Sequence, residues 1–151
     1  DTLSLHDALP ISNGICATKT SDNLAFRLRS IFENLSMVLT TFKPDQAAVE
    51  STFVNKDASN TLKLGQARGV CMLVPALAGL RVEEYAPNAI KKAVVGVGHA
   101  SKEQIKYMVK LHFPKIQLRS VDSTDALAVA ICHSNHLRNS MKMHKKLQNS
   151  A

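Results

Sequence analysis

The chain has little of what marks several common protein classes. Only three cysteines occur in 151 residues, Cys16, Cys71 and Cys132, odd in number and far apart. A disulfide-stapled scaffold does not fit that count, and a reducing, cytoplasmic setting is the expectation. No apolar run reaches the roughly 18 residues that a membrane-spanning helix requires. There is no internal repeat, no low-complexity linker and no targeting pattern at the start. A P-loop and a Gly-x-Gly-x-x-Gly turn are both absent, so nucleotide hydrolysis finds no support. What is present is ordinary globular composition, 45% hydrophobic and 21% charged. That argues against a disordered chain and fits one domain able to bury a core. The net charge of +7 is uneven: residues 1–50 carry −2 and residues 51–151 carry +9. A basic two-thirds beside an acidic start points to a polyanionic partner, against the plainer reading of a soluble enzyme with a high isoelectric point.

Organisation emerges from residue 13 onward. The first twelve residues, DTLSLHDALPIS, have no clear period and resemble a translated sequencing-adapter segment, so they are expected to be non-native. Residues 14–19 read as a short strand. Ser21 or Asp22 can cap a helix whose apolar positions are Leu24, Leu28, Ile31, Leu35, Leu39 and Phe42, at spacings of three and four, stopped by Pro44. Ala47, Ala48 and Val49 read as a buried strand ending on Glu50. A second helix is expected over 59–80, with Leu62, Ala67, Val70, Leu73, Leu77 and Leu80 apolar and Pro75 kinking or dividing it. Residues 81–86 form another strand candidate, closed by Pro87. Residues 90–95 read as a short helix or extended piece, and Gly96 and Gly98 as a flexible break. Ser101 can cap a third helix running to Leu111, with Glu103 in its first turn and Pro114 beyond. Asp122 opens a last helix with Ala126, Leu127, Ala130 and Ile131 on its apolar side, followed by a basic, polar tail. Strands alternating with helices define an α/β fold.

Three acids are candidates for chemistry. Glu50 ends a strand, and Asp122 and Asp125 lie three apart at a helix start, so both can face one side. Ionised oxygens set together suit Mg²⁺, which takes hard oxygen ligands and keeps several waters. Such a set can hold one or two Mg²⁺ ions and cleave a phosphodiester by in-line attack of water. Each acid alone has a plainer explanation: Asp-x-x-Asp opening a helix as capping, and Glu50 as a solvated strand end. Cys132, His133, His136 and His144 crowd near the end, but no second cysteine pair supports zinc.

A longer pattern narrows the reading. The stretch ESTFVNKDASNTLKLGQARG at 50–69, then EYAP at 84–87, KKAVVGVG at 91–98, ASKEQ at 100–104, DSTDALA at 122–128 and Cys132-His133 together resemble the RuvC family of Holliday-junction resolvases. The resemblance runs over residues 14–133, about four-fifths of the chain. It implies an RNase H-like mixed sheet flanked by helices, with the family's first strands missing here. It also implies a homodimer that clasps four-way junction DNA and nicks two opposed strands with Mg²⁺, two ions per site. On the same basis Glu50, Asp122 and Asp125 match three of the family's four catalytic, metal-holding carboxylates. Phe53 matches an aromatic that contacts bases at the junction centre, where stacking is worth ~1–3 kcal/mol per base. Packing behind the strand is its alternative. Lys91 and Lys102 match basic residues near the DNA backbone, and solvated side chains are their alternative. Arg68 sits in the matched helix, with an interface or packing role set against a DNA contact. A RuvA–RuvB branch-migration complex is the further partner the family implies.

The front of the chain departs from the pattern. The family's first strand carries Gly-Ile-Asp-Pro-Gly, whose Asp is the fourth ligand, and that motif is absent; Asp7 does not match it. The expected organisation is therefore a non-native segment at 1–12, a nuclease domain at 13–139 and a basic polar tail at 140–151. The expected activity is Mg²⁺-dependent resolution of Holliday junctions, weak in this chain because one ligand is missing. The alternatives are a non-catalytic DNA-binding module of the same fold and a relative acting on RNA.

Overall fold

A computed structural model describes residues 12–51, 58–118 and 120–148. The order of elements is α1 (Leu24–Phe42), β1 (Gln46–Glu50), α2 (Ala58–Leu77), β2 (Arg81–Tyr85), α3 (Pro87–Val95), α4 (Lys102–His112) and α5 (Val121–Gln148). The chain divides into two compact units, one of residues Gly14–Ala86 and one built on residues 87–148.

The first unit is a βαβ arrangement with an added helix. Asn23, one residue later than expected, caps α1: its Oδ1 accepts the Phe26 N–H at 3.0 Å. The helix ends as Lys43 turns into the left-handed region at φ 45°, just before Pro44. Leu24, Leu28, Ile31, Leu35 and Leu39 form its half-buried stripe, as the spacing predicts, and α1 packs on α2. Phe42 is exposed, and no residue of α1 is fully buried.

α2 carries β1 to β2, which pair in parallel with Gln46 opposite Arg81 and Glu50 opposite Tyr85. Parallel neighbours need such a crossover. The helix stops at Leu77, three residues short of the expected end. Leu80 N–H donates to the Pro75 carbonyl at 2.9 Å and Gly79 N–H to that of Ala76 at 3.0 Å. Gly79, at φ +77°, supplies the left-handed residue of this Schellman turn. Pro75 stays inside one helix near its end, so it neither divides the element nor ends it. Leu62, Leu73 and Leu77 are exposed rather than core; the inward side is Ala67, Val70, Cys71 and Val74. An ion pair between Arg68 of α2 and Glu84 of β2 ties helix to strand and gives Arg68 a packing role.

Residues 14–19 form no strand, because among the described residues no neighbour offers them a hydrogen-bonded ladder. The described sheet is two-stranded and parallel, within the expected α/β fold flanked by helices. Its strand residues Ala47, Ala48 and Val49 are half-buried, not buried.

The second unit holds most of the core. Pro87 opens α3, where its missing N–H and fixed φ suit a first helical turn. Ser101 caps α4 in a reciprocal capping box: Gln104 N–H donates to Ser101 Oγ at 3.2 Å and Ser101 N–H to Gln104 Oε1 at 2.8 Å. Ile90 and Val94, Ile105 and Val109, and Leu127, Ala128, Ile131 and Cys132 point inward at helical spacing. α5 reaches α3 through polar contacts as well: Asn135 Nδ2 donates to the Ala93 carbonyl at 3.2 Å. Burial pushes the Cys132 thiol above its ordinary range. α5 runs unbroken to Gln148, so residues 140–148 are helical and continuous with the buried half.

Candidate functional site

Asp122 and Asp125 are placed by the start of α5. The helix is capped by Ser120, not by either aspartate. Ser123 N–H donates to Ser120 Oγ at 3.0 Å, and Ser120 N–H donates back to Ser123 Oγ at 3.1 Å. The Ser120 carbonyl accepts from Ser123 Oγ at 2.9 Å and Thr124 Oγ1 at 3.1 Å. The Ser123 N–H of the first turn is thus met by the Ser120 hydroxyl, so Ser120, not Asp122 or Asp125, takes the N-cap role. Asp122 is exposed and Asp125 half-buried.

The two aspartates interact. Burial raises the Asp125 carboxyl above its ordinary value; Lys102 draws it down and the like charge of Asp122 pushes it up. Lys102 is the first residue of α4. Lys102, Glu103, Lys106, Ser120, Thr124 and Asp125 line a cleft of about 310 Å³; Asp122 neighbours Asp125 but does not line it. Carboxylates beside two ammonium groups, at a helix start that favours anions, can hold a cation and a phosphate side by side.

The other residues expected in the site are distributed differently. Glu50 ends β1 in the first unit and is exposed; the next residue, Ser51, extends the ladder by donating to the Tyr85 carbonyl at 2.9 Å. Lys91 is half-buried on α3 and lines neither this cleft nor a larger one between α3 and α5. Phe53 lies outside the described residues. Among the described residues, no group of three or more His, Cys, Asp or Glu side chains is gathered so as to hold a metal ion. Two carboxylates with waters and substrate phosphates are nevertheless a usual Mg²⁺ donor set, and the hard oxygens of Asp122 and Asp125 fit it.

Sequence reasoning passed over Ser120 and Lys106. The Ser-x-x-Ser spacing of 120–123 and the i, i+4 spacing of Lys102 and Lys106 were the available signals.

An α/β frame with paired carboxylates at a helix start and cations beside them fits the RNase H-like class that the sequence resemblance implies. The sequence model described as crossover junction endodeoxyribonuclease RuvC matches residues 6–133. A protein of that name from Cereibacter sphaeroides is 58% identical over 141 residues, covering 93% of this chain and 83% of the relative. One from Rhizobium leguminosarum is 59% identical over 133 residues, 86% of this chain and 78% of the relative. The chain is also similar to a solved structure of T. thermophilus RuvC in complex with Holliday junction substrate. There the TM-score is 0.81 and the identity 29%, over 86% of this chain and 79% of that one. A second solved structure, of Thermus thermophilus RuvC, gives a TM-score of 0.73 at 31% identity over 82% of this chain and 75% of that one. The chain belongs to the RuvC family of crossover junction endodeoxyribonucleases.

Proposed function

We propose that this chain is a Mg²⁺-dependent endonuclease that resolves four-way DNA junctions by paired nicks. The observation that supports it most directly is the cleft at the start of α5, which Asp125 lines beside Lys102 and Lys106 while Ser120 takes the capping role. Asp122 and Asp125 would supply oxygens for one or two Mg²⁺ ions, and Glu50 is the third carboxylate by family correspondence alone. Mg²⁺ bound there would activate water and stabilise the charge developing on the phosphate and the leaving 3′-oxygen. Lys102 and Lys106 hold the phosphate against the acids, and the reciprocal Ser120–Ser123 bonds keep both carboxylates on one face of α5. The nuclease domain is placed at residues 13–139, with the basic stretch from 140 as an appendage; the family match itself begins at residue 6. Lys91 and Phe53 contact the backbone and the junction centre.

The resemblance also motivates a homodimer acting in the cytoplasm, with a RuvA–RuvB complex as a further partner. Exposed Phe26, Met37, Leu62, Leu73 and Leu77 in the first unit support an interface, since apolar side chains in such number are rarely left in water. No helix among the described residues is long and apolar enough to cross a membrane.

The test is a synthetic four-way junction incubated with purified protein and Mg²⁺. Weak symmetric paired nicks, abolished by Asp122→Asn or Asp125→Asn while junction binding persists, are expected. Junction binding without nicks from the unaltered chain overturns the catalytic reading and leaves the DNA-binding module, which the +9 charge of residues 51–151 favours.

A further inference from the structure

The second unit holds a larger cleft, about 600 Å³, between α3 and α5, on residues that the site above does not use. It is lined by Lys92 of α3 and by Asn135, His136, Arg138, Asn139 and Lys142 of α5. Asn135, Arg138, Asn139 and Lys142 recur at i, i+3, i+4 and i+7, so they form one polar stripe along the helix. Arg138 and Lys142 are i, i+4 neighbours of like charge, an arrangement that destabilises an isolated helix. Nothing local offsets it. None of the lining residues is acidic, α3 contains no acid, and the acids of α5 are Asp122 and Asp125 at its far end. Among the described residues no ion pair engages Lys92, Arg138 or Lys142. Lys92, Asn139 and Lys142 are exposed, so the cleft is open to a large ligand. Its walls are also held in place: Asn135 Nδ2 bonds the Ala93 carbonyl at 3.2 Å, and the Cys132 thiol lies 3.9 Å from the Ala89 carbonyl.

We propose that this α3–α5 cleft is a second nucleic-acid contact surface, binding the phosphodiester backbone of a duplex arm through Lys92, Arg138 and Lys142. The proposal deepens the junction reading and rests on it for the identity of the polyanion. Three cations and two amides in an open, acid-free groove match successive phosphates and carry no base readout. The distance along α5 fixes where they bind. Asp125 and Arg138 are thirteen residues apart, so the cleft lies about 20 Å along the helix from the acid pair at ~1.5 Å per residue. That corresponds to about six base pairs of duplex at ~3.4 Å each, so the contacts belong to an arm rather than to the phosphate being cut.

The experiment compares the full chain with a Lys92→Gln, Arg138→Gln, Lys142→Gln variant, titrating a four-way junction and a linear duplex at several salt concentrations. A second variant removes the same charge elsewhere, at Lys19, Lys110 and Lys115. Circular dichroism confirms that both variants fold. The expected result is that the cleft variant lowers the slope of log K against log salt by about two to three on both DNAs, at ~0.9 per lost phosphate contact. The comparison variant changes the slope by less than about one. An unchanged slope in the cleft variant, or an equal loss in the comparison variant, overturns the proposal and leaves the junction reading standing. A slope that falls as expected in a protein with no preference for junction over duplex supports the cleft and overturns the junction reading. Absence of DNA binding by the unaltered chain overturns both.

Discussion

Replacing Ser120 with alanine tests the claim that this hydroxyl, and not an aspartate, starts α5. The substitution removes the acceptor that now takes the Ser123 N–H at 3.0 Å, in a residue that is 1% exposed. Loss of an N-cap side chain costs roughly 0.5–2 kcal/mol. A buried donor left without a partner costs about 1–3 kcal/mol. These describe the same lost bond, so they overlap rather than add, and the expected destabilisation is about 1–2 kcal/mol. At this chain length that lowers the thermal midpoint by about 3–6 °C. Urea denaturation should show the midpoint falling with the m-value unchanged, because the surface exposed on unfolding stays the same. Asp122→Ala is the paired measurement. If Asp122 only sits in the field of the helix terminus, its loss costs about 0.3–1 kcal/mol at most. A larger loss from Asp122→Ala than from Ser120→Ala would show that Asp122 caps the helix and would remove the argument that it is reserved for chemistry.

Two further outcomes follow from the second unit. The Asp125 carboxyl is raised by burial, so the folded chain holds that proton to a higher pH than the unfolded chain does. Stability from this group is therefore present in acid and lost as pH climbs from about 4 through the raised value. Asp125→Asn should unfold at a higher temperature than the unaltered chain at pH 7, by a margin that shrinks toward pH 3. A margin that is constant or grows in acid would contradict the assignment. Ile131 is 1% exposed in the core of α3, α4 and α5, and Ile131→Ala should lower the unfolding free energy by about 2–5 kcal/mol in urea titrations. A loss under about 1 kcal/mol would mean that this unit repacks freely around the gap.

Local patterns in the sequence carried the helices well. The i, i+4 stripe of Leu24, Leu28, Ile31, Leu35 and Leu39 is the packed face of α1, and Ser101 with Gln104 gives the cap of α4. These features depend on residues within one or two turns of each other, so the chain determines them without reference to distant partners. The candidate acids were legible for the same reason: Asp122 and Asp125 share a face because a helix repeats every 3.6 residues. Glu50 was a candidate from its place at a strand end; family resemblance added Phe53, Lys91 and Lys102, whose roles no local pattern implies.

Other properties depended on which segments meet. Residues 14–19 have strand composition, yet a strand exists only where a neighbour completes its hydrogen bonds. Leu62, Leu73 and Leu77 look like core positions, but the packing of α2 turns Val74 inward instead. Lys102 stands eighteen residues from Ser120 and twenty-three from Asp125 in the chain, and only the packing of α4 on α5 brings them into one cleft. The basic run after His136 reads as a solvated tail until α5 continues through it and sets Arg138 and Lys142 opposite Lys92. Periodicity, capping and charge are set by residues within a turn or two of one another, so they are readable along the chain. Pairing, burial and the neighbours of each charge depend on segments far apart in the chain and take shape only once those segments pack.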